Sequence, residues 1–156
     1  EPQLPEVIDL ARAFPGTQII LNHSGGPLGI GPYEGTLPER FPIWRDNIRA
    51  LSDCPNVAVK LGGLGPPCCG LPSSARAVAP AGSEALSKDW GPYIESCIEA
   101  FGVDRCMFES NFPVEGVTAD YATIWNAFKR IVSGASRQEK LALFHDTAAR
   151  VYRLAL

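Results

Sequence analysis

The chain has 156 residues, 46% hydrophobic and 20% charged, with a net charge of −3 and an isoelectric point near 5.4. These values describe a single globular domain with enough apolar content for one core. The mild acidity, without a Lys/Arg block, argues against nucleic acid or an anionic membrane as partner, and no apolar run nears the ~20 residues of a bilayer span. The opening residues EPQLPEV lack the form of a signal peptide, so a cytoplasmic location is expected. The five cysteines, Cys54, Cys68, Cys69, Cys97 and Cys106, are odd in number and show no CxxC spacing. Reduced thiols are therefore expected, rather than disulfides or a zinc ribbon.

Three segments in succession follow one pattern: an amphipathic helix, a turn, a short apolar strand, then polar or glycine residues. The first runs from Glu6-Val7-Ile8 to Ala13-Phe14, turns at Pro15-Gly16, continues as TQIIL and ends at Asn22-His23-Ser24-Gly25-Gly26. In the second, Trp44, Ile48 and Leu51 fall at helical spacing, Pro55-Asn56 turns, VAVKL is the strand and Gly62-Gly63 ends it. In the third, Ile94, Cys97, Ile98 and Phe101 mark a helix face, Gly102 follows it, and RCMF leads into ESNFP. Short, nearly continuous apolar strands alternating with helices predict a parallel sheet covered by helices, an α/β fold. The stretch from Leu64 to Gly82, rich in Gly, Pro, Ser and Ala, is expected to form a flexible lid or a disordered loop. Beyond the third strand, Tyr121, Ile124, Trp125, Phe128 and Ile131 form a helical stripe. A capping box at Ser136 and Glu139 opens the next helix, with Leu141 and Phe144 facing inward. A last short helix, capped by Thr147, turns Val151 and Leu154 inward.

In a parallel α/β fold the strand ends that feed into helices open onto one face, so the polar residues after them converge. Here these are Asn22, His23 and Ser24 after the first strand, Lys60 at the tip of the second, and Glu109, Ser110 and Asn111 after the third. The imidazole of His23 suits metal ligation or proton transfer near neutral pH. Lys60 could orient an anionic substrate. Glu109 and Asn111, two residues apart, point the same way in an extended segment, while Ser110 faces the other. His145, far from any strand end, fits a surface or capping role, and Trp44 and Trp125 fit the core. Gly25, Gly29 and Gly31 match a GxxxGxG phosphate-binding spacing. Pro32 stands where the helix of such a site should begin, and the chain has no Tyr-x-x-x-Lys pair, so a nucleotide-binding α/β domain is a minor alternative.

The segments NHSGGP, VKLGG and MFESNFP, together with WNAFKRI and the closing TAARVYRL, resemble the C-terminal part of the amidohydrolase-related proteins of the amidohydrolase 2 type. These are TIM-barrel hydrolases that include sugar and dicarboxylate lactonases. The resemblance runs from Val7 to Leu154 apart from the lid, and implies a partial (β/α)8 barrel comprising the sixth to eighth strands and the C-terminal helices. In relatives that hold a divalent metal, usually zinc, the histidine after the sixth strand is a site residue, which maps onto His23. An aspartate in a Ser-Asp-Trp-Pro motif activates the hydrolytic water and maps onto Asn111, where this chain reads Ser110-Asn111-Phe112-Pro113. An amide is no base at neutral pH and a poor zinc ligand. The departure favours a metal-free or weakly metal-binding variant over a zinc enzyme, with His23 as base and Asn111 as orienting group.

The family's first-strand His-x-His motif has no counterpart here, and a full barrel needs ~250 residues. The 156 residues thus read as the second half of a barrel domain. An open three-stranded sheet should expose its edges and inner face, so association with the missing N-terminal half, or self-association, is expected. The resemblance implies a hydrolase that opens a lactone, ester or amide with an activated water. His23, Glu109 and Asn111 are its catalytic candidates, Lys60, Asn22 and Ser110 its contacts to a small-molecule substrate, and His23 its candidate metal ligand. The alternative is a catalytically incompetent barrel fragment or assembly half.

Overall fold

The computed structural model describes residues 1–74 and 80–155. Three helix–strand units come first: α1 (Leu4–Ala13), β1 (Ile19–Leu21), α2 (Leu37–Ser52), β2 (Val57–Leu61), α3 (Ser83–Phe101) and β3 (Cys106–Phe108). The strands are parallel in the order β1-β2-β3, with Leu21 beside Val59 and Lys60 beside Met107. The predicted mixed α/β architecture with a parallel sheet is therefore present, and each predicted strand is found, the first and third trimmed at their N-terminal ends.

Pleating sends alternate side chains to opposite faces of a sheet. Leu21, Val57, Val59, Leu61, Cys106 and Phe108 join one hydrophobic core with Ile8, Trp44, Ile48, Leu51, Leu86, Trp90, Ile94 and Phe128 from the helices. Ala58 and Met107 are buried but lie outside this cluster, and Lys60 shares their place in the alternation. The sheet face away from the helices, expected to lie bare, is thus partly covered. One contributor is Tyr152, whose ring centroid lies 5.8 Å from the Lys60 ammonium, because the C-terminal helices pack against β3.

After β3 come α4 (Tyr121–Ile131), α5 (Arg137–Leu141), a five-residue π-helical turn (Ala142–Asp146) and α6 (Thr147–Val151). The capping box forms as predicted: the Glu139 amide donates to Ser136 Oγ at 3.2 Å, and Glu139 Oε2 accepts from the Ser136 amide at 2.7 Å. The π turn alters the C-terminal end of the chain. It joins α5 to α6 without a break and rotates the inward face, so Leu143 is buried while Leu141 and Leu154 are exposed. Thr147, expected as a cap, lies inside this continuous stretch and donates to the Val103 carbonyl instead. His145 is exposed beside Asp146, and Trp44 is core while Trp125 packs against it.

Part of the long connection after β2 is packed. Leu64, Cys69 and Leu71 are buried, and the Gly29 amide donates to the Cys68 carbonyl at 2.9 Å. The lid expectation extends over residues 75–79, which lie outside the described residues. No α-helix starts at the glycine run, because Gly31–Tyr33 forms a single 3-10 turn and α2 begins only at Leu37. All five cysteines are free, and no helix among the described residues is long and apolar enough to cross a membrane.

These assignments predict two costs of different size. Phe128, fully buried and stacked on Phe108 at 4.6 Å, should lose roughly 3–5 kcal/mol as Phe128→Ala. Ser136→Ala removes only the cap and should cost about 1 kcal/mol. Urea denaturation checks both, and equal costs would contradict the placement of Phe128 at the centre of the core.

Candidate active site

The three strand ends open on one side of the sheet, and the chain breaks regular geometry there. His23 and Ser24 follow β1 with φ of 56° and 50°, and Asn111 follows β3 with φ of 48°. The left-handed region disfavours residues bearing a Cβ, asparagine least, and such strain persists only where packing holds it. For Ser24 the packing is visible. The buried Trp44 indole donates its Nε1–H to the Ser24 carbonyl at 2.9 Å. Gly25 fits against Leu4, Ile48 and Trp44. A Cβ added at Gly63, at the end of β2, would overlap the His23 ring, so only glycine lets the imidazole lie over that strand end.

One carboxylate gathers the three termini. Glu109 Oε1 lies 2.6 Å from His23 Nδ1 and 3.1 Å from the His23 amide, while Oε2 lies 3.4 Å from Lys60 Nζ. An ionised carboxylate only accepts, so the Nδ1–H of His23 donates to it, and in the neutral imidazole this leaves Nε2 as the lone pair. The side chain of Glu109 is 14% exposed, that of Lys60 24% and that of His23 41%, so the carboxylate is sheltered and the imidazole reaches solvent. Burial disfavours the Lys60 ammonium, but the Tyr152 phenol and the Glu109 carboxylate more than compensate and hold its pKa above the ordinary lysine value.

Asn111 has a left-handed backbone, so the segment from Glu109 is not extended there, and the two side chains meet different partners. Its Nδ2 donates to Glu115 Oε2 at 3.1 Å. Glu115 is 1% exposed, and its Oε1 accepts from the Gly65 amide at 2.8 Å. Burial pushes the Glu115 carboxyl upward, opposed by the bonds from Gly65 and Asn111 and by nearby His23. Asn111 thus pairs with Glu115, which lies near enough to His23 to feel its charge. Asn22 is exposed, its carbonyl accepting from the Gly25 amide, and the Ser110 hydroxyl accepts from the Phe112 amide at 3.3 Å within its own turn.

Of the sequence candidates, the structure brings His23, Lys60 and Glu109 into direct contact. Glu115, Thr118, Gly65 and Tyr152 were not singled out from the sequence. Glu115 alone left a trace there, as a carboxylate four residues beyond Asn111. A separate apolar cavity of about 580 Å³, lined by residues including Leu37, Phe41, Leu71 and Tyr93, has none of the His23 cluster on its walls.

A catalytic zinc takes three protein ligands and keeps one position open. Among the described residues no group of three or more His, Cys, Asp or Glu side chains is placed to hold a metal. His23 donates Nδ1–H to Glu109 and keeps Nε2 open, as a metal-ligating histidine also does, but both Glu115 oxygens receive N–H donors and no three-donor group forms among the described residues, so the donors within this chain do not by themselves fit a catalytic metal.

Known proteins of similar sequence and structure show the family. An uncharacterised protein, y4mH, of Sinorhizobium fredii is 43% identical over 152 residues, covering 97% of this chain and 44% of its own length. The L-fucono-1,5-lactonase of Burkholderia multivorans is 31% identical over 168 residues, covering 99% of this chain and 49% of its own. The chain spans about half the length of these curated relatives. Two crystal structures of an amidohydrolase from Burkholderia multivorans, one with bound HEPES and one with bound zinc, superpose with a TM-score of 0.81 at 27% identity, over 99% of this chain and 50% of theirs. The Amidohydrolase family model matches residues 1–154, and the chain belongs to that family.

Proposed function

We propose that this chain carries one rim of the active site of a hydrolase that opens a lactone, ester or amide with an activated water, within the C-terminal part of a (β/α)8 barrel whose sixth to eighth strands are β1 to β3. The observation that carries the reading is the His23–Glu109 pair at 2.6 Å, with Lys60 on the second carboxylate oxygen. Family membership supports a hydrolase role, and the lactonase relative favours a cyclic ester as substrate.

In this mechanism His23 Nε2 takes a proton from water as the oxygen attacks the substrate carbonyl carbon. Glu109 holds the imidazole in the tautomer that bares Nε2 and stabilises the imidazolium once formed, as the carboxylate of a triad does. The proton then returns from His23 to the leaving oxygen or nitrogen as the tetrahedral intermediate collapses. Lys60 balances the charge of Glu109 and is the cation on this rim for a substrate carboxylate. Asn111 orients the water, and Asn22 and Ser110 line the approach. No step runs through a metal. The half-length match to relatives supports a complementing N-terminal half as partner.

The test is proton release on a panel of sugar lactones, esters and amides, with this chain alone and together with a complementing half. His23→Gln should lower kcat by about 10²–10⁴-fold on the best substrate; an undiminished rate would remove His23 from the chemistry. Lys60→Met should raise KM about tenfold for lactones bearing a carboxylate and leave neutral ones nearly unchanged, the loss of one charge-assisted hydrogen bond. Equal effects on both classes would assign Lys60 to Glu109 alone.

A further inference from the structure

Glu115 is a carboxylate deep in the protein that the proposed mechanism does not use. Its two oxygens face two different loops. Oε1 takes the Gly65 N–H at 2.8 Å, in the connection after β2, and Oε2 takes the Asn111 amide nitrogen at 3.1 Å, in the loop after β3. Thr118 completes the hold on the first loop by donating its hydroxyl to the Gly65 carbonyl at 2.6 Å. Both Glu115 and Thr118 are 1% exposed. A Cβ at Gly65 would lie 3.0 Å from Thr118 Oγ1 and 3.1 Å from the Glu115 carboxyl carbon, tighter than ordinary packing allows.

An asparagine amide is ambiguous, because rotation by 180° exchanges a donor for an acceptor at nearly the same place. An ionised carboxylate that already accepts from Gly65 offers its other oxygen only as an acceptor. It therefore selects the rotamer in which Nδ2 faces inward. The Asn111 oxygen is then the group left for other partners, and its left-handed backbone keeps the side chain within reach of Glu115 across a short turn, where the Glu115 amide donates to the Asn111 carbonyl at 3.0 Å.

We propose that Glu115 is a positioning residue: by holding the Asn111 amide nitrogen it fixes that side chain as an acceptor at the rim, and by holding Gly65 it locks the loop after β2 to the loop after β3. Asn111 then receives an O–H of the attacking water rather than donating to the substrate carbonyl. This role for the Asn111 oxygen rests on the hydrolase reading, whereas the selection of its rotamer does not.

The experiment is ¹⁵N–¹H NMR of the Asn111 side-chain amide and the Gly65 backbone amide in the whole chain, with kinetics alongside. Glu115→Gln cannot accept from both groups, so the Asn111 cross-peaks should shift and the Gly65 amide should exchange about tenfold faster. Thr118→Val, which frees only the Gly65 carbonyl, should speed Gly65 exchange and leave the Asn111 cross-peaks in place. Asn111 signals that stay unmoved in Glu115→Gln, or that move equally in Thr118→Val, would overturn the assignment. Should Glu115→Gln fail to fold, Asn111→Ala gives the same answer through the Glu115 carboxyl ¹³C titration, whose midpoint should rise on losing the amide; an unchanged midpoint refutes the contact. On a substrate that the wild type hydrolyses, Glu115→Gln should lower kcat about tenfold with KM unchanged, and an unaltered kcat would refute the positioning role. A wild type without hydrolytic activity even together with a complementing half would defeat the hydrolase reading, while the NMR shifts would still decide the rotamer.

Discussion

The candidate site depends on one carboxylate placed where three chain segments end. Glu109 continues the β2–β3 ladder, its amide donating to the Leu61 carbonyl at 3.1 Å, so its backbone position is set by the sheet. From that fixed point its oxygens reach the backbone and ring of His23 and the ammonium of Lys60. A sheltered anion with so little access to water must be met by donors, and these come from the ends of the two other strands. Satisfying the carboxylate and assembling the site are the same event. The cation and the imidazole that make Glu109 tolerable are also the groups that the proposed mechanism uses.

The surrounding packing explains how a short sheet holds such an arrangement. Three rim residues with a Cβ sit in the left-handed region, and each has a neighbour that keeps it there: Trp44 bonds the Ser24 carbonyl, Gly63 leaves room for the His23 ring, and Glu115 takes the Asn111 amide. Cores are close-packed, so Trp44, whose ring centroid lies 4.8 Å from that of Tyr93, transmits the rigidity of α2 and α3 to the turn that bears His23. Apolar side chains that touch no substrate thus set the direction in which polar ones point.

Asn111 stands where the resemblance to the family's motif breaks down. Where the family resemblance maps a carboxylate onto Asn111, this chain has an amide, and a carboxylate, Glu115, stands four residues later, buried and hydrogen-bonded on both oxygens. A buried carboxylate, Glu115, is thus the group that the Asn111 amide faces.

Much of this was legible in one dimension. Period-2 and period-3.6 patterns marked the three strands and most helices, because pleat and helix expose one face at those spacings, and the capping box at Ser136 and Glu139 is a local contact that needs no distant partner. The order strand, polar residues, helix was enough to gather His23, Lys60 and Glu109 at one end of the sheet, since parallel strands leave no other arrangement. Tertiary structure alone decided the pairings and facings that local pattern does not encode. It turned Asn111 toward Glu115, placed Tyr152 by Lys60, and let a π turn exchange Leu143 for Leu141 at the core. The physical reason is that periodicity reports which face of an element is apolar, whereas the partner of a buried polar group is chosen by the three-dimensional packing that removes it from water.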